Sequence, residues 1–136
     1  MRWGILLIAA LLHLGSMYCN GEPAALKTQI GHFLGNPPDF ETSFSLFYSL
    51  YSLPNIVIPF LSGYVIDRYR PGRCAVLFAL LILCGNSVFA VGMSTQTWWM
   101  MYVGRVLHGA GGPSLEIASS VLLAEWFNGQ ELALAF

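Results

Sequence analysis

Long apolar stretches broken by short polar turns dominate the 136-residue chain. Trp3 to Gly21, Ser43 to Ile66 and Cys74 to Gly104 carry no formal charge, and the last is long enough for most of two spans. Val106 to Ala124 holds a single charge, Glu116. A membrane-spanning helix needs about 20 mostly apolar residues. The pattern therefore predicts an all-α membrane protein with about four transmembrane helices, at 1–21, 43–66, 74–93 and 98–126. A 22–42 loop with a short helix, a 67–73 turn and a 127–136 end complete the expected organisation.

Within these spans the polar positions repeat with helical spacing. His13, Ser16 and Asn20 fall on one face of the first span. A cleaved signal peptide is the alternative for residues 1–21, but it has no need of such a stripe. Asn20-Gly21 is the expected stop of this helix, and Pro23 suits the first turn of a short helix over Ala24 to Phe33. In the second span Ser45, Ser49, Ser52, Pro59 and Gly63 share a face, with Tyr48 and Asn55 at its edge. Small residues of this kind let membrane helices approach closely. Pro54 and Pro59 predict a kink. The third span carries a small polar patch, Cys84-Gly85-Asn86-Ser87. Trp98 and Trp99 start the fourth at an interface, and Asn128-Gly129 is its expected stop.

Charge adds orientation. Only 10% of the residues are charged, against about 25% in a soluble domain. The net charge of −1 gives no field for nucleic acid. The 22–42 loop holds Lys27 against Glu22, Asp39 and Glu41, whereas the 67–73 turn holds Arg68, Arg70 and Arg73. The positive-inside rule places both ends and the 67–73 turn in the cytoplasm and the 22–42 loop outside or in a lumen. Cys19, Cys74 and Cys84 lack metal-ligand spacing and read as free thiols. The chain has no Asn-x-Ser/Thr sequon, and no nucleophile–base pair, metal cluster or phosphate loop points to an enzyme or a cofactor.

The fourth span carries the candidate chemistry. At 100° per residue Arg105, His108, Gly109, Gly112, Glu116 and Ser119 lie on one stripe of an otherwise apolar helix. Ionisable groups inside a membrane cost about 2.5–3.5 kcal/mol at its centre on insertion scales and so mark substrate or ion pathways. The stripe must face protein or water: it is either an internal polar network that locks the bundle or a substrate path. Arg105 and Glu116 are eleven residues apart, about 16 Å along a helix, too far for a direct pair. Gly109, Gly111 and Gly112 lie mid-helix and read as packing positions.

Two motifs resemble the major facilitator superfamily. Its loop between helices two and three reads Gly-x-x-x-Asp-Arg/Lys-x-Gly-Arg/Lys, matched by Gly63, Asp67 and Arg68, then by Gly72-Arg73 after the insertion Arg70-Pro71. Its fourth helix carries Arg-x-x-Gln-Gly-x-Gly, matched by Arg105, Gly109 and Gly111 with His108 in place of Gln. Within the superfamily the chain is similar to the domain-containing protein 1 branch, whose activity is lysosomal dipeptide transport. Glu22 to Gln29, Tyr51 to Asn55, Gly109 to Leu115 and Trp126 to Leu132 carry that likeness. The branch has an acidic residue directly after the paired glycines; here Pro113 stands there and the acid is Glu116.

The resemblance implies the first third of a twelve-helix fold, with two bundles rocking about a midplane site. Arg105, His108 and Glu116 would face a dipeptide or other small organic solute. Gly63, Asp67, Arg68, Gly72 and Arg73 would form a cytoplasmic gate. It also implies the lysosomal membrane, with the plasma membrane as the alternative, and a glycosylated accessory membrane protein as partner. The competing expectation is a truncated, non-transporting membrane protein that acts at most as an association partner.

Overall fold

The structure, a computed structural model, describes residues 2–35 and 37–127, with Arg2 by its backbone alone. The expected stop at Asn128-Gly129 and all of the 127–136 end except Phe127 lie outside the described residues. Six helices follow in order: α1 (Arg2–Ala25), α2 (Lys27–Phe33), α3 (Phe40–Ser52), α4 (Pro54–Arg68), α5 (Pro71–Ser94) and α6 (Trp98–Trp126). No strand occurs among the described residues.

Helix ends follow local chemistry, with two departures from the sequence reading. Asn20-Gly21 does not stop α1, which runs on to Ala25 with Pro23 inside it. Leu26 donates to the Glu22 carbonyl at 3.0 Å and accepts from Ile30 at 2.8 Å. Only Leu26 therefore separates α1 from α2. The second span is two helices rather than one kinked helix. Leu53 keeps helical dihedrals (φ −61°, ψ −47°), but Pro54 has no N–H to donate, so the ladder breaks there. Pro59 sits inside α4. After Arg68 the extended residues Tyr69 and Arg70 lead to Pro71 at the first turn of α5, where a missing donor costs nothing.

The helix ends gather into two groups. Trp3 meets Phe127 edge-on, ring centroids 6.0 Å apart, and a groove beside the 67–71 turn is also lined by Val121 and Glu125. At the opposite end the Gln96 side-chain amide donates to the Phe33 carbonyl at 2.9 Å, tying the α5–α6 turn to α2. Gln96 has φ 53°, a left-handed conformation that ordinary side chains rarely adopt. Lys27 pairs with Glu41 at 2.7 Å on this end; exposed pairs of this kind contribute about 1 kcal/mol at most. Arg68, Arg70 and Arg73 thus lie at one end, and Lys27, Asp39 and Glu41 at the other.

The most extensive contact joins α5 to α6, and glycines make it. A Cβ on Gly85 would lie 2.8 Å from the His108 backbone nitrogen, one on Gly92 2.8 Å from the Met101 backbone nitrogen, and one on Gly104 2.6 Å from the Gly85 carbonyl oxygen. Close backbone approach at small residues is how helices pack where the solvent is itself apolar. At the α2 end Phe47 is fully buried against Phe44, Phe89, Trp98 and Tyr102.

The serines of α3 do not form its packing face. Ser45 and Ser49 are exposed and bond back to the carbonyls of Glu41 and Ser45, at 2.8 and 3.3 Å. Aromatic residues pack instead: Phe44 and Phe47 are buried in a cluster with Phe89, Trp98, Met101 and Tyr102. Much apolar surface stays outside: Phe60 is 81% exposed, and Ile56, Tyr64, Trp3, Tyr18 and Leu14 are also exposed. Such surface is stable only against lipid or other helices. α1, the α3–α4 pair together and α5 are long and apolar enough to cross a membrane. α6 is long enough at 29 residues; of its polar residues Arg105, His108, Ser114 and Ser119 are buried, whereas Glu116 and Glu125 are exposed.

Candidate functional site

The polar stripe of α6 divides into a sealed part and an open part. Arg105 is 3% exposed and His108 is fully buried, whereas Glu116 is exposed. The Arg105 guanidinium lies between two rings, 5.2 Å from the centroid of Phe89 and 5.9 Å from that of Tyr48. A planar cation suits such a slot. Its Nη2 donates to the Asn20 carbonyl at 3.5 Å, the outer limit for a hydrogen bond. His108 Nδ1 lies 2.8 Å from Asn86 Oδ1. Tyr51 meets its ring edge-on, with centroids 5.5 Å apart.

Five buried polar atoms here have no hydrogen-bond partner among the described residues: Asn20 Oδ1, Tyr48 Oη, Asn55 Oδ1, Arg105 Nε and His108 Nε2. They come from α1, α3, α4 and α6, and Asn20 and Tyr48 both touch Arg105. Buried polar atoms are nearly always paired, and leaving one unpaired costs about 1–3 kcal/mol. A cluster of them is the signature of a place that water or a polar ligand completes.

Glu116 lies beside this cluster, at an opening between α1 and α6. A pocket of about 40 Å³ is lined by His13, Ser16, Asn20, Tyr51 and Glu116, with Gly112 on its wall. His13 and Glu116 also line a larger cavity of about 310 Å³ that continues along the same two helices. The stripe on α1, His13, Ser16 and Asn20, thus faces the stripe on α6. The smaller pocket holds about one water or one ammonium group; the larger one is wide enough for a side chain.

Gly109, Gly111 and Gly112 have different neighbours. A Cβ on Gly109 would collide with the carbonyl of Tyr51, and one on Gly111 would lie 2.7 Å from Ile82 Cγ1. Gly112 instead faces the pocket: its Cβ would meet Tyr51 Oη at 3.2 Å and Ser16 Oγ at 3.6 Å. The residues of the turn motif are less enclosed. Asp67, Arg68 and Arg73 are exposed, and a Cβ on Gly63 would meet nothing within 4 Å. A Cβ on Gly72 would meet Leu122 Cδ1 at 3.9 Å. Arg68 and Arg70 share with Glu125 of α6 the groove in which Asp67 lies.

Asn86, Tyr51 and Gly85 belong to this site, though the α6 stripe alone does not identify them. Asn86 and Gly85 fall in the small polar patch of α5, whose other members, Cys84 and Ser87, are exposed. The only sequence signal for Asn86 is an amide in the middle of an apolar span.

Three comparisons with known proteins place the chain. The Major Facilitator Superfamily model matches residues 4–136. The lysosomal dipeptide transporter MFSD1 of Danio rerio is 38% identical over 133 residues, covering 97% of this chain and 28% of that protein. The protein of the same name in Mus musculus is 38% identical over 136 residues, covering 99% and 29%. That in Homo sapiens is 38% identical over 133 residues, covering 97% and 28%. The chain therefore spans less than a third of the length of these curated relatives. No solved structure matches it.

Proposed function

Because the chain belongs to the major facilitator superfamily, and so is a multi-pass integral membrane protein, we propose that it is part of a transporter of dipeptides or similar small solutes. Transport would proceed by alternating access across the lysosomal membrane, as the name of the relatives suggests. The observation that carries this reading is the pairing of poles on α6. Arg105 brings a buried cation with an unpartnered Nε. Glu116 brings an anion at the open pocket formed with His13, Ser16 and Asn20. A dipeptide is a zwitterion, with a carboxylate for the guanidinium and an ammonium for the acid. The two poles are about 16 Å apart along the helix, too far to neutralise each other. An extended dipeptide spans about 7 Å, less than the separation of the two backbone positions, so this reading requires the two side chains to close the difference around the bound solute.

The experiment is uptake of a labelled dipeptide into proteoliposomes holding the protein. Glu116→Gln should raise KM about tenfold or more, the loss of one charge-assisted bond, with little change in folded yield. An unchanged KM for a peptide with a free amine would remove Glu116 from the site.

The 67–73 turn has a separate role in this reading. With the arginine-bearing end in the cytoplasm, Asp67 sits at the end of α4 beside Arg68, Arg70 and Glu125. An exposed carboxylate among such charges can hold arginines in one state and release them in the other. Asp67→Ala is expected to leave insertion and KM unchanged and to slow the turnover of uptake several-fold. Wild-type turnover at equal reconstituted protein would refute the latch.

A further inference from the structure

Within the peptide-transport reading, on which this inference rests, we propose that the cavity beyond Glu116 is the subsite for the side chain of the substrate's amino-terminal residue. It selects an apolar side chain there.

The cavity lies between one face of α1 and one face of α6. His13 and Glu116 stand at one end of it, and Leu6 and Leu123 at the other. Ala9 and Ala10 of α1 and Ser119 and Ser120 of α6 line its middle. The spacing is three, one and three residues on both helices, which keeps each set on a single face. His13 and Glu116 also line the small pocket, which continues with Ser16, Asn20 and Gly112. From the larger space to the smaller, residue numbers rise on α1 and fall on α6, so the two helices run antiparallel and Glu116 stands between the spaces. Glu116 to Leu123 rises about 10 Å, away from Arg105.

Local chemistry explains both the room and its character. Four short side chains in the middle leave about 310 Å³ between the helices. The far end is closed and apolar: Ala9, Leu123 and Phe127 form a buried cluster with Leu6 packed against it, and Trp3 meets Phe127 edge-on. The near end carries the carboxylate. The bonding of an amino acid then decides what enters. The ammonium and the side chain of the first residue are carried by the same carbon. With the ammonium on Glu116 at the small pocket and the peptide bond leading back toward Arg105, the larger space is left for the side chain. An apolar side chain gains by leaving water there, whereas an acidic one would bring a like charge beside Glu116.

The test is uptake of Gly-Gly, Leu-Gly, Asp-Gly and Gly-Leu by the full-length protein in proteoliposomes. For the wild type, kcat/KM for Leu-Gly should exceed that for Gly-Gly about tenfold or more, the gain from burying a leucine side chain, and Asp-Gly should fall below Gly-Gly. Ser120→Leu and Ala10→Leu fill the cavity from opposite helices, and neither position belongs to the buried core. In each variant the Leu-Gly to Gly-Gly ratio should fall to near one, while the Gly-Leu to Gly-Gly ratio keeps its wild-type value. Leu6→Ala, which deepens the cavity, should move the preference from Leu-Gly to Trp-Gly. A general loosening of the bundle would weaken all peptides alike and leave the ratios unmoved, so the ratios separate a subsite from structural support. Equal wild-type uptake of Leu-Gly and Gly-Gly, or a Leu-Gly preference that both filled variants keep, would overturn the subsite while leaving transport standing. So would a loss confined to Gly-Leu, which would put the second side chain there. A wild type that takes up none of the four peptides would bring down the transport reading and the subsite with it.

Discussion

Gly109→Ala should destabilise the bundle by about 1–3 kcal/mol, the cost of overpacking a close contact, and Gly109→Leu should give no folded protein. The added carbon would collide with the Tyr51 carbonyl oxygen and lie 3.0 Å from both the carbon and the Cα of the same residue. These are backbone atoms of α3, just before the Leu53–Pro54 break, and no rotamer change can move them aside. α3 must retreat from α6, and Tyr51 then loses its contact with His108. Helix propensity works the other way, since alanine gains up to about 1 kcal/mol over glycine in a helix. Gly15→Ala is the control for that term, because a Cβ there would meet nothing within 4 Å. Thermal midpoints in detergent should rank Gly15→Ala at or above wild type and Gly109→Ala clearly below. Equal midpoints for the two alanine variants would show that α3 does not seat on Gly109.

Arg105→Gln should lower dipeptide uptake about 10- to 150-fold, the range of one hydrogen bond to a charged group. The guanidinium occupies a slot between Phe89 and Tyr48, and its Nε has no partner among the described residues. Glutamine keeps polarity and much of the length but not the charge. Arg105→Lys restores the charge without the planar fork or the stacking and should recover only part of the activity. A peptide amidated at its C-terminus gives an independent reading. It should be a poor substrate for the wild type, and amidation should cost Arg105→Gln nothing further, since both changes remove the same interaction. A full amidation penalty in Arg105→Gln would place the carboxylate elsewhere.

Much of this site can be read one helix at a time. Arg105, His108, Gly109, Gly112 and Ser119 fall on one stripe at 100° per residue, and all five are buried. His13, Ser16 and Asn20 stand out in the same way on α1, and all three face the α1–α6 pocket. Glu116 shares the stripe but not the burial, because α1 leaves a gap opposite it where the pockets open. The α3 serines show the converse. Their spacing marks a coherent face, yet Phe44 and Phe47 go inward, against Phe89, Trp98, Met101 and Tyr102. Asn86 is legible only as an amide in a greasy span. Its bond to His108 crosses 22 residues of sequence.

The sequence by itself determined the all-helical membrane character, the arginine-rich turn, the polar stripe of α6 and the superfamily. Hydropathy, charge and period are properties of a single segment, so they survive without knowledge of its neighbours. Only the tertiary structure decided that Asn86 meets His108, that the Tyr51 carbonyl rests on Gly109, and that Arg105 is sealed while Glu116 stands at the opening beside His13. Those outcomes depend on how closely two helices approach, which is set jointly by the side-chain volumes on both and cannot be read from the period of either alone.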